Sequence, residues 1–331
     1  MKICYIYRSK NISFSIERVF AQIRKYTSPS IEQSELYCPR NNAQSPITYI
    51  KNMWATLGTK ANIYHITGAV HYMALFYPRK RTLITVHDLT HITGVKGIKG
   101  FLLKTIFATL PFNWVKHIVA ISECSKNEIV EKIGISPNKI DVIYDPAPDD
   151  FPYKAKEINL DKPRILCFSH LINKNLTRHI KALEGINCHL RILGRIPEQD
   201  RSLLEALNIE YSNAFDISSE QIKKEYEDCD ILLFASTSEG FGVPILEAQL
   251  TGRPVITSNI APLTEVSGED SAINVDPFDV ESIRMGIKKL ISEKDLAETL
   301  IQKGLKNVER FSPANIAKQY ENVYNKMSKK H

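Results

Sequence analysis

At 331 residues the chain exceeds what one hydrophobic core usually serves, and two domains of roughly 150 residues each are expected. Its 43% hydrophobic and 24% charged content is that of an ordinary soluble globular protein and excludes disordered and fibrous classes. The net charge of +6 is uneven. Residues 1–155 hold 20 Lys and Arg against 11 Asp and Glu, a balance of +9, and the remainder holds 23 against 26, a balance of −3. An anionic partner is therefore expected on the N-terminal half: a phosphate-bearing acceptor, an acidic membrane surface or nucleic acid, the last without any recognisable binding motif.

The first segment, MKICYIYRSKN, reads as a strand. Arg8 and Lys10 stand where a secretory signal needs an unbroken apolar stretch, so the chain is expected to begin at Met1. The strand opens into RSKNISFSIERVF, with Arg8, Ser13, Ser15 and Arg18 as polar candidates. NIYHIT and TLITVHD follow as strands, the second ending on His87 and Asp88, with His91 one helical turn on. VKGIKGFLLKTIFATLPFNWVKH intersperses Lys96, Lys99, Lys104 and Lys116 with Ile98, Phe101, Leu102, Phe107 and Trp114. It reads equally as an amphipathic helix lying on an anionic membrane or as a core helix with solvated lysines. Lys104, Pro111, Asn113 and Lys116 make it a poor spanning helix.

HIVAIS and DVIYD complete the first strand series. DPAPDDFPYKAKEINLDKP then concentrates prolines and charges and reads as a linker. RILCFS, HLRILG, DILLFAS, RPVITSN and SAINVD form a second series. Apolar strands alternating with helical patterns predict parallel sheets covered on both faces, hence two doubly wound domains. From Pro313 a closing amphipathic helix is expected, with Ser312 as N-cap and Ile316, Ala317, Tyr320 and Val323 on one face. The six cysteines are scattered without zinc or redox spacing and are expected to be buried thiols. NIS at Asn11 and NLT at Asn175 match a glycosylation pattern that a cytoplasmic chain leaves unused.

The most informative stretch is DILLFASTSEGFGVPILEAQLTGRPVITSN, read as strand, loop, helix and strand. Ligands of open parallel sheets bind outside the carboxyl ends of the strands, where Glu239 falls. Gly240 and Gly242, lacking Cβ, let backbone amides approach a phosphate, and Pro244 suits the first turn of a helix whose N-terminus attracts anions. Glu247, one turn in, is an acceptor-only group able to take both hydroxyls of a ribose. Two solvated glutamates on a capped helix are the alternative.

The segment SEGFGVPILEAQLTGRPVITSN resembles the signature of retaining glycosyltransferases of family 4, which have the GT-B fold. The resemblance implies two Rossmann-like domains facing a crevice, with an acceptor-binding domain over 1–155, a nucleotide-sugar-binding domain over 156–312, and a closing helix over 313–331. It implies that Glu239 lies by the donor sugar and phosphates, that Gly240, Phe241, Gly242 and Val243 line the donor loop, and that Glu247 binds the ribose. SHLINKNL is similar to the family's phosphate-binding stretch, which makes Lys174 a diphosphate contact. Arg195, ending HLRILGR, falls where the family passes the nucleotide base. TVHD implies that His87, with Asp88, lies near the donor sugar and acceptor, orienting or polarising groups while the leaving diphosphate helps deprotonate the acceptor. Glu265 occupies a recurrent acidic position of the family.

The sequence departs from the family at Ser169 and His170, where many members have Gly-Arg or Gly-Thr. Asp145-Pro146 replaces the usual Asn-Gly, and a Gly-Gly loop is absent after the first strand. The expected activity is metal-independent transfer of a hexosyl group from GDP-mannose or a UDP-sugar to a glycan or lipid-linked acceptor, in synthesis of a surface polysaccharide such as O-antigen, lipopolysaccharide or capsule. The expected location is cytoplasmic or peripheral on the inner membrane face, with no cofactor beyond the donor. A catalytically silent nucleotide-sugar-binding regulatory subunit is the alternative that the altered loops leave open.

Overall fold

The computed structural model describes residues 1–10, 15–39, 46–56, 58–89, 94, 97–169 and 171–329; Asn11, Ser13, His91, Lys96 and His170 lie outside them. The chain divides into two compact units, Met1–Pro146 with Phe311–His331, and Ala147–Arg310.

The first unit is a parallel sheet of β1 (Lys2–Tyr7), β2 (Glu32–Tyr37), β3 (Ile63–Ile66), β4 (Thr82–Val86), β5 (His117–Ala120) and β6 (Ile140–Val142), in the order β2-β1-β3-β4-β5-β6. Successive strand residues point to opposite faces, and both faces are apolar. Ile3, Tyr5, Tyr7, Ile63, Leu83 and Val119 pack with Phe20 and Ile23 of α1 (Ser15–Tyr26) and with Ile316, Tyr320 and Tyr324 of the C-terminal helix Pro313–Ser328. Cys4, Ile6, Ile66, Ile84, Val86 and Ile118 form the other core with Phe107 and Phe112.

Within the first core, His65 bonds to the Tyr324 hydroxyl at 2.7 Å and to Thr85 Oγ1 at 2.8 Å. Burial pushes its pKa down to about 3, so the ring is neutral. Ser312 stands before the C-terminal helix but its side chain caps nothing; Pro313 alone preorganises the first turn.

The second unit repeats the plan with β7 (Arg164–Phe168), β8 (His189–Leu193), β9 (Tyr211–Ala214), β10 (Ile231–Phe234), β11 (Val255–Ser258) and β12 (Ile273–Val275), in the order β12-β11-β10-β7-β8-β9. Ile165, Cys167, Leu190, Ile192, Leu233 and Ile256 anchor one core, with Ile180, Leu204 and Ile287 from the covering helices. No helix or strand lies between residues 143 and 163. That segment is fastened by the buried Arg253, whose guanidinium donates to the carbonyls of Lys154, Tyr226, Glu227, Thr251 and Gly252.

Two strands go beyond the sequence reading, β2 (EQSELY) and β9 (YSNA). Each is an edge strand, partly exposed, and so lacks the continuous apolar run that marks a strand covered on both faces. The segment over residues 97–114 is a helix in three parts: α2 (Gly97–Lys104), a π-turn (Thr105–Thr109) and α3 (Leu110–Trp114). The wider turn absorbs Pro111, which has no N–H to donate. Phe107 is 8% exposed and packs on Tyr49 and Tyr72, as the core-helix reading expects. Ile98, Phe101 and Leu102 are 82%, 69% and 52% exposed.

All six cysteines are free, five of them buried, with Cys124 intermediate. Asn175 is buried, its amide donating to the carbonyls of Ala235 and Pro277, so it offers no accessible acceptor for a glycan. Among the described residues no helix is long and apolar enough to cross a membrane.

Candidate active site

Each sheet reverses strand order once, between β1 and β3 in the first unit and between β7 and β10 in the second. At such a point the loops leaving neighbouring strands turn to opposite faces and open a crevice at the carboxyl ends. Of the residues singled out from sequence, Arg8 follows β1 in the first unit, and Lys174 and Glu239 follow β7 and β10 in the second.

In the second unit, β7 runs into the loop carrying Asn173 and Lys174, and β10 into the loop carrying Glu239. Lys174 Nζ donates to Glu239 Oε1 at 2.6 Å, and both side chains are largely buried. Asn173 ties the loops further, its amide donating to the Ser238 carbonyl at 2.6 Å and its own carbonyl accepting from Thr237 N at 2.9 Å. Lys174 also lies 4.7 Å over the Phe234 ring. A short ion pair with little water around it is held firmly.

Gly240 is exposed and Phe241 buried, and Gly242 starts α4 (Val243–Thr251) with φ of 123°. A Cβ at Gly242 would stand 2.8 Å from Leu263 Cδ2, so glycine is required here both by backbone and by space. Val243 begins the helix and Glu247 lies one turn along it. Tyr226 OH donates to Glu247 Oε2 at 2.7 Å. Burial, then the carboxylate charge, holds the Tyr226 pKa well above its ordinary value, so the phenol stays a donor and orients Glu247. Arg195 is exposed, paired with Asp216 at 3.0 Å and lying over Phe215; its contacts are with the neighbouring β9 loop. Ser169 is buried, its N–H bonded to the Leu193 carbonyl at 2.9 Å.

In the first unit, Arg8 follows β1 and makes a two-pronged pair with Glu17 of α1, each contact 3.0 Å. His87 follows β4. Its Nε2 donates to the Thr67 carbonyl at 3.0 Å, and its Nδ1 lies 3.5 Å from Asp145 Oδ2. Burial alone disfavours a charged ring, but the Asp145 carboxylate, the bonds to Asp145 and Thr67, and nearby Asp88 outweigh it. The imidazole pKa is raised above its ordinary value. Asp88 is exposed. The serines of AISECS serve the backbone: Ser122 caps the helix over residues 123–128, and Ser125 Oγ reaches the His87 carbonyl at 3.5 Å.

Sequence reasoning missed Tyr226, Thr67 and Gly68. Gly68 has φ of 140°, and a Cβ there would lie 2.9 Å from His87 Cδ2. A glycine directly after a strand was the available signal; Tyr226, at the far end of a polar helix, offered none.

Two family models account for most of the chain: glycosyltransferase family 4 over residues 23–150 and glycosyl transferases group 1 over residues 150–307. The chain belongs to the GT-B glycosyltransferases. An uncharacterized glycosyltransferase of Methanocaldococcus jannaschii is 27% identical over 63% of this chain and 59% of its own length. The capsular polysaccharide biosynthesis glycosyltransferase CapM of Staphylococcus aureus is 28% identical over 78% of this chain and 74% of its own. O-antigen chain mannosyltransferase B of Escherichia coli is 34% identical over 41% of this chain, which spans only 30% of that relative. Among solved structures, Anabaena HepE in complex with UDP and glucose superposes with a TM-score of 0.77 at 15% identity, covering 98% of this chain and 100% of that one. That likeness concerns the fold, and it places both doubly wound units of this glycosyltransferase within the GT-B architecture.

Proposed function

We propose that the chain is a retaining hexosyltransferase that uses a nucleotide-sugar donor to extend a glycan or lipid-linked acceptor of a surface polysaccharide. The observation that carries this reading is the Lys174–Glu239 pair at the β7/β10 switch point, beside the glycine-started helix that holds Glu247. On this reading Lys174 and the amides of Gly240–Val243 receive the diphosphate, Glu239 faces the sugar, and Glu247, aimed by Tyr226, takes the ribose hydroxyls. Arg195 lies by the base. His87 and Asp88 act on the transferred sugar and acceptor from the N-terminal unit. The leaving diphosphate is neutralised by these groups, so the proposed reaction needs no metal and turnover survives EDTA.

Relatives named as capsule and O-antigen enzymes support the pathway, and the mannosyltransferase among them favours GDP-mannose; the fold relative solved with UDP and glucose keeps UDP-sugars in the test. We further propose a cytoplasmic enzyme resting on an anionic membrane through Ile98, Phe101 and Leu102. These side chains are exposed on a unit whose sequence is strongly basic, a match for acidic headgroups. Thermal-shift screening against GDP-, UDP- and ADP-sugars, followed by transfer assays with the stabilising donor, tests the reading. A donor that raises Tm and is consumed with retention of anomeric configuration is expected; no stabilisation by any nucleotide sugar overturns it.

A further inference from the structure

We propose that Asp145 is a positioning residue that keeps His87 as a doubly protonated imidazolium, so that His87 serves transfer as a fixed positive charge and not as a base. This rests on the functional reading above but is decided by different chemistry. A backbone carbonyl carries no proton, so the Thr67 contact at 3.0 Å fixes an N–H on Nε2. The second nitrogen stands 3.5 Å from a carboxylate that is itself buried. A bare Nδ1 lone pair there would face a negative charge; an Nδ1–H faces it favourably. With both nitrogens protonated the ring has no lone pair left to accept an acceptor's proton.

The elements packed on the ring enclose it, which opposes the charge, and the anions beside it outweigh that burial. Just past β3, Gly68 leaves room for it because it lacks a Cβ. From α1, Phe20 meets it edge-on with ring centroids 6.2 Å apart. His65 on β3 and the buried His71 in the short helix after it are both held neutral by burial, with pKa values pushed down to about 3 and about 4, and add no competing cation. Asp88, next in the chain, adds a second anion.

The raised His87 pKa gives the sign of the effect. The ring's contribution is full below the ordinary histidine value, and is lost as pH rises through the raised one. A cation required for transfer gives activity that falls with rising pH; a base would give activity that rises. The experiment pairs an imidazole NMR titration of His87 in the full chain, without substrate, with the pH profile of kcat/KM for wild type, Asp145→Asn and Asp145→Ser. The expected wild-type result is a midpoint above the ordinary value and an alkaline loss of activity at the same pH.

Asp145→Asn keeps the shape and removes the charge. It should lower both midpoints by about one unit or more while leaving donor affinity unchanged. Asp145→Ser repeats the test should the first variant fold poorly. An ordinary or lowered wild-type midpoint, a midpoint indifferent to both substitutions, or a rising activity limb overturns the proposal. Absence of transfer with every nucleotide sugar sinks the functional reading instead, since the titration needs no turnover.

Discussion

Glu247 is held by a donor that itself depends on it. The Tyr226 phenol is fully buried and donates a hydrogen bond to Glu247 Oε2. Glu247→Ala should therefore do two separable things. Donor affinity by calorimetry should fall roughly 10- to 100-fold, the worth of a hydrogen bond to a charged group. The orphaned phenol should also cost about 1–3 kcal/mol, visible as a lower Tm. Glu247→Gln keeps an acceptor for Tyr226 and should recover most of the Tm but not the affinity; unchanged donor affinity in both variants would remove Glu247 from the site. His87→Ala belongs to the other unit and should show the opposite split. We expect kcat to fall about 100-fold, the scale of a preorganised charge in a reaction site, with nucleotide binding little changed. Normal turnover would exclude His87 from the reaction.

At the scale of elements, the helical segment over residues 97–114 divides its apolar residues between two tasks. Phe107, Ala108 and Phe112 fill the sheet's core, whereas Ile98, Phe101 and Leu102 face outward. Spacing in the sequence could not separate them, because the π-turn at Thr105–Thr109 shifts the helical phase between the two ends. The double variant Phe101→Glu/Leu102→Glu touches only exposed positions and should leave Tm nearly unchanged. Its binding to phosphatidylglycerol vesicles should weaken about tenfold or more, since each side chain loses apolar burial and meets like charge. Equal sedimentation of wild type and variant with such vesicles would argue against a membrane role for this face. The edge strands β2 and β9 show the same limit in another form. A strand with one neighbour and partial exposure needs no continuous apolar run, and periodicity then carries little signal.

For the whole molecule, the first unit is discontinuous in sequence: Phe311–His331 packs with Met1–Pro146. The C-terminal helix supplies Ile316, Tyr320 and Tyr324 to the core of that unit, and Tyr324 OH is a hydrogen-bond partner of the buried His65. Truncation after Arg310 should therefore unfold the N-terminal unit by opening its core, while Ala147–Arg310 keeps its own and still binds nucleotide. A calorimetric scan should lose one transition and retain a nucleotide-shifted one. Survival of both transitions would show that the helix is dispensable.

The sequence by itself determined the two doubly wound sheets, because strands covered on both faces must be apolar along their whole length and helices between them must be amphipathic. It also marked the Glu239–Glu247 segment, where two glycines and a proline follow a strand and open a helix. Only the tertiary structure decided which charges meet: Lys174 with Glu239, Tyr226 with Glu247, His87 with Thr67 and Asp145. Those partners stand on different loops or helices, up to 65 residues apart in the case of Lys174 and Glu239. Their contacts follow from strand order, which local periodicity does not encode, and a charge takes its meaning from the neighbour that order provides.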